Sequence, residues 1–422
     1  SSFQGNASPH SKETISRLLY DSFSLSAWKK AGMSTWSLRV NPSSGNLHPT
    51  EVYLIGGAIT GISDKPFIAH YYPREHALEI RCEIPDHLWM DMRKDLPDGV
   101  VFLGLTSIFW RESWKYGERA FRYCNHDIGH ALGAISMAGA GLGWDAILLD
   151  GWGNEDLDRM LGVYERETIP KGSPRKGTYP QLEQEHADCL VACFPITTES
   201  GHCGIRNAII PSLPLVQTLG PSMSQVTWAG KRNRLSKDHM WWDIIDNAAS
   251  AAKKATTPSL VSTKVIPPQT GLFDGIYKPS HTLRHVIIKR RSAVNMDEKH
   301  VMSAEAFYQI MLKTLPSGPN EKLQGETAQI PFRILPWKAE VHMAIFVHKV
   351  KDLSKGLYIL VRNSEHEPKF RKSLRQDFMW EKPDGCPENL PLYQLVEGNC
   401  EDLAMQLSCH QVLVVVFFLV FM

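Results

Sequence analysis

The chain has 422 residues, 43% of them hydrophobic, enough to bury more than one core, and its length suggests about two to three domains. Its 46 lysines and arginines nearly balance 45 aspartates and glutamates, so no global field recruits nucleic acid or an anionic membrane surface. Eight cysteines without a small-scaffold spacing read as reduced intracellular thiols rather than a disulfide framework, which makes a cytoplasmic setting the expectation.

Ser1–Lys12 is polar, without the apolar core of a signal peptide or an initiator methionine, and reads as the start of a fragment. Glu13–Ala31 carries Ile15, Leu18, Leu19, Phe23 and Leu25 among polar residues, a broken helical pattern expected to end near Gly32. Asn41–Tyr53 follows, a loop running into a strand. Proline and glycine fix its backbone, while Ser43, Ser44 and Asn46 offer small donors and acceptors suited to the edge of a flat polar ring such as a flavin. An ordinary Pro-Ser-Gly turn is the plain alternative. Val52–Ile55, Pro66–Tyr72 and Glu75–Ile80 then read as strands of an antiparallel sheet.

Ser107–Leu142 reads as helical and holds dense polar chemistry, including Trp110, Arg111, Lys115, Tyr116, Arg119, Arg122 and Tyr123. Its second half, Gly129–Leu142, is rich in alanine and glycine, which lets a neighbour approach the backbone, as in a buried central helix. Ala146–Leu149 resembles a strand and Asn154–Leu161 a short helix. In Asp188–Pro195, Cys189 and Cys193 sit near His186, His202 and Cys203, residue types that bind zinc. Their even spacing inside an apolar run points both thiols to one face, so packing is the preferred reading and no metal is expected.

Ser250–Ser280, rich in Ser, Thr, Lys and Pro, reads as a linker. Beyond it, Val286–Ile288 leads into Arg290-Arg291-Ser292, whose fork-shaped donors and hydroxyl suit a phosphate monoester, with a solvated charge run as the alternative. A helix with Phe307, Ile310, Met311 and Leu315 on one face comes next. Pro49–Ile55, Ile62–Asp64 and Pro66–His76 can be laid in order over Pro336–Ala344, Leu353–Lys355 and Gly356–His366, an internal repeat. The second copy has Phe332–Leu335 where the first has its Ser-Ser-Gly-Asn loop. Val412–Met422 is apolar but only about half the roughly 20 residues a membrane helix needs, so a strand or an abnormal ending explains it better than an anchor.

The loop Pro42–Pro49, the helix Lys115–Tyr123 and the Arg290–Ser292 entry together resemble the FMN-dependent nitroreductase superfamily. Within it the chain looks most like the azoline dehydrogenases acting on peptide thiazolines and oxazolines. The similarity covers most of residues 15–230 and, more weakly, 283–411. It implies an α+β nitroreductase-like fold in two tandem copies forming an intramolecular pseudo-dimer, hence a monomer. The first domain would span 13–245, a linker 246–282, and an incomplete second domain 283–422, which stops before a long central helix and a C-terminal basic contact to the phosphate.

By the same resemblance, Pro42, Ser43, Ser44, Gly45 and Asn46 would meet the isoalloxazine ring, and Arg290, Arg291 and Ser292 the phosphate. These halves would complete one FMN site per chain. Lys115 and Tyr116 match the proposed acid/base pair, with the lysine pKa lowered by burial; a structural ion network of Lys115, Glu118 and Arg119 is the alternative. His48 stands where glutamine is common, and Gly45 where an aromatic is. The expected function is hydride transfer between flavin and a heterocyclic or electron-poor substrate, a small molecule or peptide. NAD(P)H is compatible despite the absence of a Gly-x-Gly-x-x-Gly fingerprint. The alternative from another class is a catalytically silent scaffold that binds a peptide or protein.

Overall fold

The computed structural model describes residues 7–94, 96–165, 167–196, 219, 221–223, 225–231, 233–258, 280–291, 299–316, 330–407 and 418–421. They divide between two units, the first taking residues up to 258, 280–289 and 330–336, the second residues from 290 to 316 and from 337 to 421. Most of the expected linker, 259–279, lies outside the described residues, as does Ser292.

The first unit opens with α1 (Lys12–Phe23), capped by the Ser11 hydroxyl, which accepts from the Thr14 N–H at 3.3 Å. Ile15, Leu18, Leu19 and Phe23 form its buried face. The helix ends at Phe23 rather than near Gly32: the Ser22 and Ser24 hydroxyls donate back to the Leu18 and Tyr20 carbonyls, Ser24 is extended, and the chain turns into a hairpin of β1 (Leu25–Ala31) and β2 (Ser34–Arg39). Gly32, at φ +58°, makes the turn. The unit continues through β3 (Thr50–Gly56), β4 (Phe67–Tyr72), β5 (Ala77–Glu83), α2 (Asp86–Met92), β6 (Val101–Ser107), α3 (Trp110–Tyr116), α4 (Ala120–Gly141), β7 (Trp144–Leu148), α5 (Asn154–Met160), β8 (Lys176–Gly177), β9 (His186–Pro195), β10 (His239–Met240), α6 (Asp243–Ala251) and α7 (Leu283–Lys289).

A six-stranded antiparallel sheet has the order β5-β4-β3-β6-β9-β7. Its central strands are buried on both faces, and alternate residues enter two cores. Val52, Leu54, Leu103 and Leu105 pack with α1 and with Ile128, Ala131, Leu132, Ile135 and Ala138 of α4. Tyr53, Ile55, Phe102 and Leu190 pack with α2 and α5. Cys189 and Cys193 both lie in the first core, where burial pushes their thiols well above the ordinary value; His202 and Cys203 lie outside the described residues. Gly104 is required by packing, since a Cβ there would lie 2.5 Å from a methyl of Leu161. Among the described residues no helix is long and apolar enough to cross a membrane.

The second unit contains β11 (Met302–Ser303), α8 (Ala304–Lys313), β12 (Met343–Val347), β13 (Val350–Lys351), β14 (Gly356–Leu360), α9 (Glu367–Ser373), β15 (Leu392–Glu397), α10 (Glu401–Leu407) and β16 (Phe418–Phe421). Helix α8 buries Phe307, Tyr308, Met311 and Leu312, with Ile310 39% exposed, so the apolar face is rotated from the expected one. The sheet order β15-β14-β12-β16 follows the same path as β5-β4-β3-β6, with a helix before the first strand and another before the last in both units.

One segment departs from the repeat. Phe332–Ile334 forms a short 3-10 turn that packs on α4 and β7 of the first unit, where Ile334 enters the first core. Arg333 pairs with Asp145, and each side chain is only 5% exposed. The stretch matched to the Ser-Ser-Gly-Asn loop is therefore spent on a core. Removing one partner from a buried ion pair costs about 3–5 kcal/mol. Arg333→Leu is expected to lower the urea-unfolding free energy of the full chain by that amount, and a loss below about 1 kcal/mol would show that the pair does not hold this segment.

Candidate functional site

The antiparallel register places Thr50, at the start of β3, opposite Ser107, at the end of β6. The loop entering β3 and the helix leaving β6 therefore meet at one end of the sheet, and α4 brings Asp127 beneath them. Asp127 is 1% exposed. Its Oδ2 accepts from the Ser43 hydroxyl at 2.6 Å, and its Oδ1 from the Ser44 N–H at 2.9 Å and the Ser44 hydroxyl at 3.1 Å. Ser43 Oγ in turn accepts from the His48 N–H at 2.8 Å. The two hydroxyls expected at a ligand's edge are thus committed to holding the loop.

Asn46 Nδ2 donates to the Ser37 carbonyl at 2.9 Å, and its Oδ1 faces His48 Nε2 at 2.8 Å. Burial, with Arg39 nearby, lowers the His48 pKa to about 3, so the imidazole is neutral. With its Nε2–H on Asn46, its Nδ1 is a bare acceptor, without a partner among the described residues. Arg111 of α3 ties the far end of the loop, donating to the His48 carbonyl at 3.1 Å and pairing with Glu51. Burial alone would raise the Glu51 pKa, but Arg111, the 2.7 Å contact from His70 and Arg39 hold it well below the usual carboxylate range.

Gly45 is exposed and adopts φ +57°. A Cβ on it would lie 2.3 Å from Tyr116 Oη and 3.0 Å from Lys115 Nζ, so the phenol and the ammonium sit directly against the loop backbone. The cofactor-loop residues and the acid/base pair named from the sequence are brought together here. Lys115 itself is exposed, so the burial expected for its side chain is not found; Tyr116 is half-buried and packs edge-on against Tyr123 at 4.8 Å. Arg290 and Arg291 are exposed in the second unit, with Arg291 Nη1 donating to the Arg290 carbonyl at 2.6 Å, and Ser292 lies outside the described residues.

Sequence reasoning missed Asp127 and Glu112. A carboxylate on the buried stripe of an alanine- and glycine-rich helix was the available signal for the first. Glu112, on α3, is fully buried, and among the described residues neither of its oxygens has a hydrogen-bond partner. Further buried polar atoms without a partner among the described residues flank the loop on Asn41, His48, Thr50 and Arg111. Unpaired polar groups are costly inside a protein, and their concentration beside an exposed glycine backbone, a phenol and a cation suits a flat polar ring. The residues present therefore fit a flavin ring.

Burial pushes the Glu112 pKa up to about 8, Asp127 adding to the rise and Lys115 opposing it. The folded chain keeps a proton that the unfolded carboxyl, at 4.5, releases, so this group's contribution to stability falls as pH rises from 4.5 to about 8 and is flat above. Glu112→Gln removes that slope. Its melting temperature is expected to gain on the wild type through this window and to hold a constant lead above it; a gap independent of pH would contradict the assignment.

Residues 6–169 match the Nitroreductase family. Over 129 residues the chain is 22% identical to a candidate nitroreductase of Methanocaldococcus jannaschii, a match taking in 29% of this chain. The chain thus spans 64% of the length of that curated relative. Among solved structures, a candidate nitroreductase from Anabaena variabilis superposes with a TM-score of 0.58 at 16% identity, covering 97% of this chain and 72% of that one, which shows a shared fold. A chain of the E. coli microcin synthetase complex reaches a TM-score of 0.31 at 17% identity, over 46% of this chain and 68% of that one. The mixed helix-and-sheet architecture is nitroreductase-like, and the family match falls on residues 6–169, which hold the loop, α3 and α4.

Proposed function

We propose that the chain is an FMN-dependent oxidoreductase that moves hydride between flavin and a heterocyclic, azoline-like or otherwise electron-poor substrate. The observation that carries this reading is the convergence of the Gly45 backbone, Tyr116 Oη and Lys115 Nζ at one exposed point of the nitroreductase-family domain. FMN, when bound, supplies the hydride-transfer chemistry. Pro42–Asn46 would hold the ring edge, chiefly through backbone groups, because Ser43 and Ser44 spend their hydroxyls on Asp127. Arg290 and Arg291, followed in sequence by Ser292, carry the donor types that a phosphate monoester takes.

Lys115 and Tyr116 hold and move the substrate proton. Lys115 is exposed and Tyr116 half-buried with Lys115 over its ring at 5.2 Å, so Tyr116 is the group nearer the chemistry. A small heterocycle or a peptide carrying one fits a site open at Gly45, and NAD(P)H would serve where flavin must be reduced. The common strand path of the two sheets supports a second, partial copy of the fold in residues 283–422.

The full chain is expected to purify yellow and to release about one FMN per chain on denaturation, with Arg291→Ala weakening retention and Tyr116→Phe cutting kcat by roughly a hundredfold or more while leaving FMN bound. A colourless, well-folded chain that takes up no added FMN would remove the redox reading and leave the fold as a binding scaffold.

A further inference from the structure

Glu112 lies three residues before Lys115 and four before Tyr116 on α3, one helical turn from each. It is fully buried, with both oxygens lacking partners among the described residues. Asp127 on α4 and Lys115 on its own helix act on it electrostatically, with Cys124 on α4 and Asp188 on β9 beyond them; the turn that follows α3 adds Glu118 and Arg119, and β10, which also packs on α3, adds His239 paired with Glu183. Asp127 is engaged by the loop, and its charge repels a carboxylate at Glu112. Of the cations, Lys115 is the one that acts on Glu112, lowering its pKa against burial. Its amine, on a flexible four-carbon stem, lies against Gly45 and over the Tyr116 ring.

We propose that Glu112 is a positioning residue for Lys115: as a neutral acid it leaves the ammonium at Gly45 and Tyr116, and as a carboxylate it draws the ammonium back along the helix and off the loop. A buried carboxylate without donors is costly, and a cation one turn away on a flexible stem can relieve it. Burial keeps Glu112 protonated until about pH 8, so Lys115 stays seated at the loop in neutral solution and leaves it in mildly alkaline solution. The proposal rests on reading Lys115 and Tyr116 as the proton-handling pair, and it adds the group that decides when the pair is assembled.

The test uses the full chain without added flavin. Its lysines are reductively dimethylated with a carbon-13 label, which keeps their charge, and the Lys115 signal is assigned by its loss in Lys115→Arg. In the wild type, the Lys115 signal is expected to show an inflection near pH 8, where Glu112 titrates. In Glu112→Gln that inflection is lost while the other lysine signals keep their dispersion. In Glu112→Asp it returns at a displaced pH, an outcome that loss of packing alone does not produce. An identical Lys115 curve in the wild type and Glu112→Gln overturns the proposal, as does an inflection that Glu112→Asp fails to restore in a chain with native dispersion. A chain that takes up no flavin but shows the Glu112-dependent inflection would lose the flavin reading and keep this one. Flavin binding with Lys115 indifferent to Glu112→Gln would do the reverse.

Discussion

The site depends on one buried carboxylate. Asp127 collects two hydroxyls and a backbone N–H from Ser43 and Ser44, residues 84 and 83 positions away in sequence, and so fastens an exposed loop to the central helix. Hydrogen bonds to a charged acceptor contribute about 1.5–3 kcal/mol each, and a buried carboxylate stripped of them becomes a liability rather than a neutral loss. The latch also decides what the loop offers outward. With the serine hydroxyls turned to Asp127 and Arg111 gripping the His48 carbonyl, the accessible polar surface is backbone at Gly45 together with Tyr116 and Lys115.

Two acids a short distance apart are thereby set to different tasks. Asp127 takes three donors from the loop; Glu112 takes none among the described residues and is held protonated by burial. Environment divides their labour, as it does wherever paired carboxyl groups serve one site. The cost of the unpaired acid is carried by the sheet and helices around it: β3 and β6 fix where the loop and α3 begin, and the two core layers fix β3 and β6. Arg333 and Ile334 extend that support, since they fill the far side of the first core beside α4.

Much of this was legible in the sequence. Apolar runs bounded by turn residues mark the strands, the alanine- and glycine-rich stretch marks α4, and the loop and the Lys115–Tyr116 pair stand out by residue type, though not their contact. What was not legible has physical causes. The residues of β1 read as a continuation of the helix because Leu25 keeps the helical spacing, whereas the serine hydroxyls at positions 22 and 24 end the helix first. Asp127 and Glu112 were passed over because a polar residue in a helix reads as a solvent-facing one until its neighbours are known. Phe332–Leu335 aligned with the loop of the first copy, yet its apolar side chains and Arg333 suit a core with a buried aspartate, and tertiary pairing with Asp145 prevailed over local pattern.

The most direct test of the latch is the hydrogen-exchange rate of the Ser44 amide in the full-length chain. That N–H donates to the buried Oδ1 of Asp127 at 2.9 Å, so it should exchange on the timescale of the core strand β3 rather than of an exposed loop. Exchange of Ser44 as fast as that of an unprotected peptide, with β3 protected in the same sample, would show that the loop is not held by Asp127 and that the site is not preorganised.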